Sequence, residues 1–347
     1  MVPWPLGCCL AFLLLIAGAQ AAPPASSVVC ASCHRAEALA HPSTSMSHAL
    51  EAVADCTILR SNPKFGFRYG AYSYQIVREG TRSIYSVTDG HQTLTVPIAW
   101  AFGLGSAGQT YVYQWNGHWY ESSVTYFRAL HGPDLTLGFK SRSPRNLEEA
   151  AGRIMTLPEA RDCFNCHSTN AVHQGRLQFE RLMPGVQCER CHGAATTHLQ
   201  ALKAGDVQRA AMPQLGKLTN DELSNFCGQC HRTWAQINMN GPHDINNIRF
   251  QPYRLTNSRC YDPADRRISC VACHDPHQEV EHQAGAYDTK CLACHGKVEP
   301  AGRAIHCPVS QKECVTCHMP KYELEGAHNR FTDHQIRIVH TGEQYPG

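Results

Sequence analysis

Cys270-Val271-Ala272-Cys273-His274-Asp275-Pro276-His277 is the stretch on which the reading of this chain turns. Its first five residues form a Cys-x-x-Cys-His unit. The unit occurs seven times, numbered here motifs 1 to 7: Cys30-Cys33-His34, Cys163-Cys166-His167, Cys188-Cys191-His192, Cys227-Cys230-His231, Cys270-Cys273-His274, Cys291-Cys294-His295 and Cys314-Cys317-His318. A shuffled chain with 19 Cys and 21 His in 347 residues would contain roughly 0.06 copies.

The spacing carries a chemistry. Residues three apart share one face of a helical turn. Two thiols so placed can each bond one vinyl group of a haem, and the next residue can swing its imidazole under the iron. Structural zinc uses Cys-x-x-Cys pairs but needs no His after every pair. A thioredoxin-like redox pair would occur once, beside a βαβ pattern. A disulfide scaffold leaves the seven His without a purpose. The expected cofactor is therefore haem c, seven copies attached through the fourteen motif cysteines, with iron held by the seven motif histidines.

Outward from the motifs, the composition bounds the rest. The formal charge is +2, with 31 basic and 29 acidic residues. It suggests neither a nucleic-acid surface nor a polybasic membrane patch. Seven oxidised haems with their propionates would bring it to roughly −5, because a site's charge includes its ion. Residues 1–21 read as a secretory signal, with an apolar run from Gly7 to Ala17 and Ala19-Gln20-Ala21 as the cleavage site. That run is too short to span a bilayer. Export from a bacterial cytoplasm is expected, to the periplasm or beyond, with no transmembrane segment in the mature chain. Of the non-motif cysteines, Cys8 and Cys9 leave with the signal. Cys56, Cys260 and Cys307 stay. One disulfide, Cys260–Cys307, is expected in an oxidising compartment, against the alternative of three unpaired thiols.

The motifs are unevenly spread, which divides the chain: signal 1–21, first haem segment 22–58, β-rich insert 59–145, six-haem region 146–320 and tail 321–347. Within the insert, Tyr72 to Val77, Ser83 to Val87, Thr93 to Val96 and the hairpin Tyr111-Val112-Tyr113-Gln114-Trp115-Asn116-Gly117-His118-Trp119-Tyr120 read as antiparallel strands. A small sheet packed over the first haem is expected, with a partner-docking face as the alternative. From 146 onward short helices and loops are expected, with Leu147–Leu157 and Asn220–Phe226 as helices and Thr219 as a cap. The intervals are too short for ordinary cores, so the fold class is a multihaem cytochrome c: short helices and irregular loops around stacked haems, with an antiparallel β-rich insert.

Six-coordinate iron needs a second axial ligand, and fourteen His lie outside the motifs. His277 follows motif 5, His198 follows motif 3, and His328 and His334 follow motif 7. Near motif 1 stand His41, Met46 and His48, of which His48 is carried in the ligand set. His173 and His243 rank lower. His91 and His118 read as turn or strand-surface residues and His340 as tail, while His131, His282 and His306 stay undecided.

Pro184-Gly185-Val186-Gln187-Cys188-Glu189-Arg190-Cys191-His192-Gly193 with His198, Cys270 to His277, and Cys314 to Ile336 together resemble multihaem cytochromes of the cytochrome c-552/4 type. Ser258-Arg259-Cys260 and Cys307-Pro308 are similar too. The resemblance covers about 28–58 and 160–338. It implies closely packed haem pairs, mostly bis-His iron with His198, His277, His328 and His334 as distal ligands, and a secreted electron carrier. The wider superfamily includes hydroxylamine oxidoreductase and multihaem nitrite reductases. The chain departs from the pentahaem nitrite reductases, since it has no Cys-x-x-Cys-Lys motif. The expected function is electron transfer between periplasmic or membrane redox proteins. The alternative is an oxidoreductase acting on a small nitrogen or sulfur species at one five-coordinate haem, with motif 1 the first place to look.

Overall fold

The computed structural model describes residues 27–296, 307 and 309–346. The expected signal at 1–21 and His306 lie outside them. Among the described residues no helix is long and apolar enough to cross a membrane.

Nine strands form one antiparallel sheet: Leu50–Ala52 (β1), Lys64–Tyr69 (β2), Tyr72–Glu79 (β3), Arg82–Thr88 (β4), Thr93–Phe102 (β5), Gln109–Trp115 (β6), His118–Phe127 (β7), Gly132–Leu135 (β8) and Gly152–Met155 (β9). The order is β2 to β8 in sequence, with β1 paired to the end of β5 and β9 to the start of β7. Consecutive strands can be neighbours because tight turns join them. The β6–β7 hairpin turns at Asn116 and Gly117, both at positive φ, as a two-residue turn of this hand requires. Inward residues alternate with outward ones, and Tyr74, Tyr85, Tyr111, Tyr113 and Tyr120 fill the interior with Ile76, Val87 and Val96. Tyr85 donates its hydroxyl to the Ala151 carbonyl at 2.9 Å.

The sheet reaches beyond the insert at both ends, taking β1 from the segment before it and β9 from the segment after. The expected helix over 147–157 is correspondingly short, Leu147–Ala151. Gly152 ends it, because it must lie against the β7 backbone. A Cβ there would sit on the Glu121 carbonyl.

The expected position of the sheet also changes. It backs motif 2. Phe164, inside motif 2, is fully buried among Trp100, Phe102, Trp119 and Phe179. Burying that much aromatic surface outweighs any local preference. The described residues from 156 onward form short helices, three two-stranded ribbons and loops, the last ribbon pairing Lys321–Glu323 with Arg330–Thr332.

Candidate metal centres

Every motif lies in or at the end of a short helix: Ser27–Ala31, Leu157–His167, Cys188–His192, Asn220–His231, Cys270–Cys273, Asp288–His295 and Cys314–His318. Local chemistry sets their starts. Thr156 with Glu159, and Thr219 with Glu222, form reciprocal capping boxes before motifs 2 and 4. Ser269 caps motif 5 through the Ala272 N–H. Starting the helix there brings both thiols of the motif to one side.

The motifs meet one another directly. Arg190, inside motif 3, donates Nε–H to the Asn165 carbonyl of motif 2 at 3.2 Å. The same guanidinium reaches Sγ of Cys230 in motif 4 at 3.7 Å. Sγ of Cys166 lies 3.6 Å from the Gln229 carbonyl, so motif 2 also touches motif 4. Four thiol pairs from different motifs are within hydrogen-bonding reach: Cys30 with Cys188, Cys166 with Cys230, Cys227 with Cys270, and Cys291 with Cys314. His274 of motif 5 contacts Tyr287 edge-on at 5.6 Å, just ahead of the motif 6 helix.

Asp288, the first residue of the motif 6 helix, accepts from the backbone N–H of Cys314 at 2.9 Å and of Glu313 at 2.7 Å, fastening motif 7. Those two N–H groups, that of Cys314 first, hold its carboxyl below its ordinary value. A depressed carboxylate stabilises the fold above its unfolded-state pKa of about 3.9 and loses that contribution as pH falls through the lower folded value. Asp288→Ala is expected to abolish hydrogen-exchange protection of the amides at 313 and 314 while leaving the β-sheet amides unchanged. Protection that survives the substitution would refute the fastening.

Hydrogen bonds orient several of the imidazoles. A metal-binding His commonly donates one ring N–H to a carbonyl or carboxylate, which fixes the tautomer and presents the other nitrogen. Nδ1 faces Ala49 O at 2.9 Å in His167, Ala210 O at 2.6 Å in His198, Arg337 O at 2.8 Å in His318, Thr332 O at 3.0 Å in His334, and Asp275 Oδ1 at 3.1 Å in His277. In all five, this leaves Nε2 as the nitrogen that could take a ligand. Burial lowers the pKa of His167, His192, His231 and His274, and brings His334 down to about 4. These rings are therefore neutral at pH 7, the form that binds metal.

Two pairs of rings face each other across motif boundaries. His192 of motif 3 and His277 have centroids 6.0 Å apart and planes within 7°. His274 of motif 5 and His334 have centroids 6.3 Å apart, tilted by 43°. Two imidazoles each bound to one ion at about 2 Å have centroids roughly 6 Å apart. The two separations match that spacing. His277 lies in motif 5's own sequence neighbourhood, yet it faces motif 3.

Two expected ligands are turned elsewhere. His48 uses both nitrogens, Nδ1 to Glu51 Oε1 at 3.1 Å and Nε2 to the Pro42 carbonyl at 2.9 Å. Both ring nitrogens thus face oxygen atoms of the protein in this structure. His328 donates Nε2–H to Asp134 Oδ2 at 2.7 Å and packs edge-on against Phe127 at 4.7 Å, which ties the tail to the sheet. Asp134 also meets Lys140 at 3.5 Å. His34 and His295 are exposed, and His41 is half-buried near His277.

No disulfide links the described cysteines, which corrects the Cys260–Cys307 expectation. Cys260 lies close to Cys291 and Cys294 of motif 6, while Cys307 accepts from the backbone of Ser310 and Val309. Cys56 is fully buried, donates to Gln109 Oε1 at 3.2 Å, and has its pKa pushed up by burial to about 12, an inert thiol.

Sequence reasoning missed Arg190 and the buried pair Arg254–Asp333 beside His334. The position of Asp333 next to a candidate ligand is the one signal that could have found the second.

Two comparisons with known proteins bear on these centres. The family model described as cytochrome c554 and c-prime matches residues 138–193, which hold motifs 2 and 3. The chain is also similar to the multiheme cytochrome MtrA of Shewanella baltica (strain OS185), 24% identical over 191 residues. That alignment covers 51% of this chain and 48% of the relative, so the chain spans about half the length of the protein it matches. No solved structure matches. With the repeated motif, these similarities define the class: a multihaem c-type cytochrome, with iron in covalently bound haem c.

Proposed function

We propose that the chain is an exported heptahaem cytochrome of the c-552/4 type, which passes electrons between periplasmic or membrane redox proteins. The observation that carries this reading is the pairing of a motif imidazole with one from outside that motif, His192 with His277 and His274 with His334. An electron carrier keeps both axial positions filled, whereas a catalyst leaves one open. Haem c supplies one-electron redox chemistry when bound, with potentials tuned by axial ligand, burial and nearby charge. The chain's own part is to hold the centres in contact, through Arg190, the packed motif helices and Asp288, and to keep the ligand rings neutral by burial. In this reading the fourteen motif cysteines attach haem, His34, His167, His192, His231, His274, His295 and His318 are proximal ligands, and His198, His277 and His334 are distal ones. His48 and His328 serve as structural ties. The segment 1–21 directs export.

Pyridine haemochrome absorbance combined with intact mass of the purified holoprotein is expected to give seven haems per chain, with the mature N-terminus after Ala21. A lower haem count would overturn the heptahaem reading. A high-spin EPR signal that responds to nitrite, hydroxylamine or cyanide would turn the assignment toward catalysis.

A further inference from the structure

His334 faces His274, but its own anchorage is one hydrogen bond from the ring to the Thr332 carbonyl. The residue before it does far more. Asp333 is wholly buried, and so is Arg254, from the helix Gln251–Thr256. Arg254 grips the carboxylate with two prongs, Nε to Oδ1 at 2.9 Å and Nη2 to Oδ2 at 3.0 Å. Arg337 adds a third contact, Nη1 to Oδ2 at 2.6 Å. Asp333 N–H donates to the Pro320 carbonyl, and the Gln335 N–H donates back to Asp333 Oδ1, each at 2.9 Å. Ser258 closes the loop by donating to the His334 carbonyl at 3.1 Å and accepting the Ile336 N–H at 2.8 Å.

Backbone on both sides of His334 is thus fixed, and the fixing group is an ion pair taken wholly out of water. Such a pair is a poor means of stability, since apolar side chains of similar volume often serve as well or better. Its two-pronged geometry does supply something apolar packing lacks, a set orientation. From this we infer that Arg254 and Asp333 are positioning residues that aim the His334 imidazole at the iron of motif 5. The inference rests on the reading of His334 as that iron's distal ligand.

The test separates position from folding. The double variant Arg254→Met/Asp333→Leu removes both charges together, and Arg337, which loses Asp333, keeps Glu343 at 3.0 Å. It is expected to fold, by far-UV circular dichroism, yet to show one haem equivalent moved from low-spin to high-spin in EPR, with low spin restored by added imidazole. Arg254→Lys keeps the charge but loses one prong, and is expected to give the same signal in part of the molecules. If either folded variant stays wholly low-spin with unshifted haem potentials, the inference is overturned. His334→Ala is the reference. If it too leaves every haem low-spin, the ligand reading itself has failed; if it alone creates the high-spin haem, only the positioning role has.

Discussion

Replacing His277 with alanine is expected to move one haem equivalent from low-spin to high-spin and to let that haem bind carbon monoxide when reduced. The ring lies 6.0 Å from His192 with planes within 7°, and Asp275 orients it through Nδ1 at 3.1 Å. Asp275 also accepts the His277 backbone N–H at 2.9 Å, so ring and backbone are held by one carboxylate. Because the axial set tunes haem potentials over about 0.8 V, losing one imidazole should shift that haem by on the order of 0.1 V. EPR of the oxidised protein and a spectroelectrochemical titration read both effects. The pairing also dictates which centre responds: motif 3, not motif 5. An unchanged low-spin spectrum would remove His277 from the ligand set.

Phe164→Ala should cost about 3–5 kcal/mol of stability, the range for deleting a buried phenyl ring. Phe164 is completely buried and meets Trp100, Phe102, Trp119 and Phe179 with ring centroids 6.2, 5.1, 5.5 and 5.1 Å away. All four contacts are edge-to-face, an arrangement that adds to the value of the buried area. The ring is also the fastening between sheet and motif 2, so the loss should fall on both. Denaturant titration of the holoprotein followed by tryptophan fluorescence would show a lower midpoint, with Phe164→Leu losing less. A cost below about 1 kcal/mol would mean that the cluster relaxes around the gap.

What could be read from the chain divides by the range of the interaction. The motif cysteines and histidines are legible because their spacing is a property of one helical turn. The hairpin at Asn116-Gly117 is legible for the same reason, since the turn selects its residues locally. The partner of each imidazole is not, because His277 and His192 are brought together by the fold and not by sequence distance. His48 and His328 illustrate the complementary failure. Their positions near motifs suit a ligand, but the local Glu51 and Pro42 carbonyl hold the nitrogens of His48, and Asp134, brought in by tertiary structure, holds Nε2 of His328. The sheet's contact with motif 2 escaped for want of weighing Phe164, an apolar residue at a variable motif position. Cys260 and Cys307 share the motif-dense half of the chain, but a shared half says nothing about the distance between two thiols.

Arg190 brings motifs 2, 3 and 4 together at one point, which under the electron-carrier reading would be a fork rather than a link in a single file. Carriers in single file share the fate of their slowest member. At a fork, traffic arriving by one arm has two ways to leave, so one stalled arm diverts the flow without stopping it. The guanidinium adds a fixed positive charge at that point, which favours the reduced state of whatever lies nearest. Under the electron-carrier reading, the fork is where electrons would pool before the exit is chosen, a reservoir as much as a route.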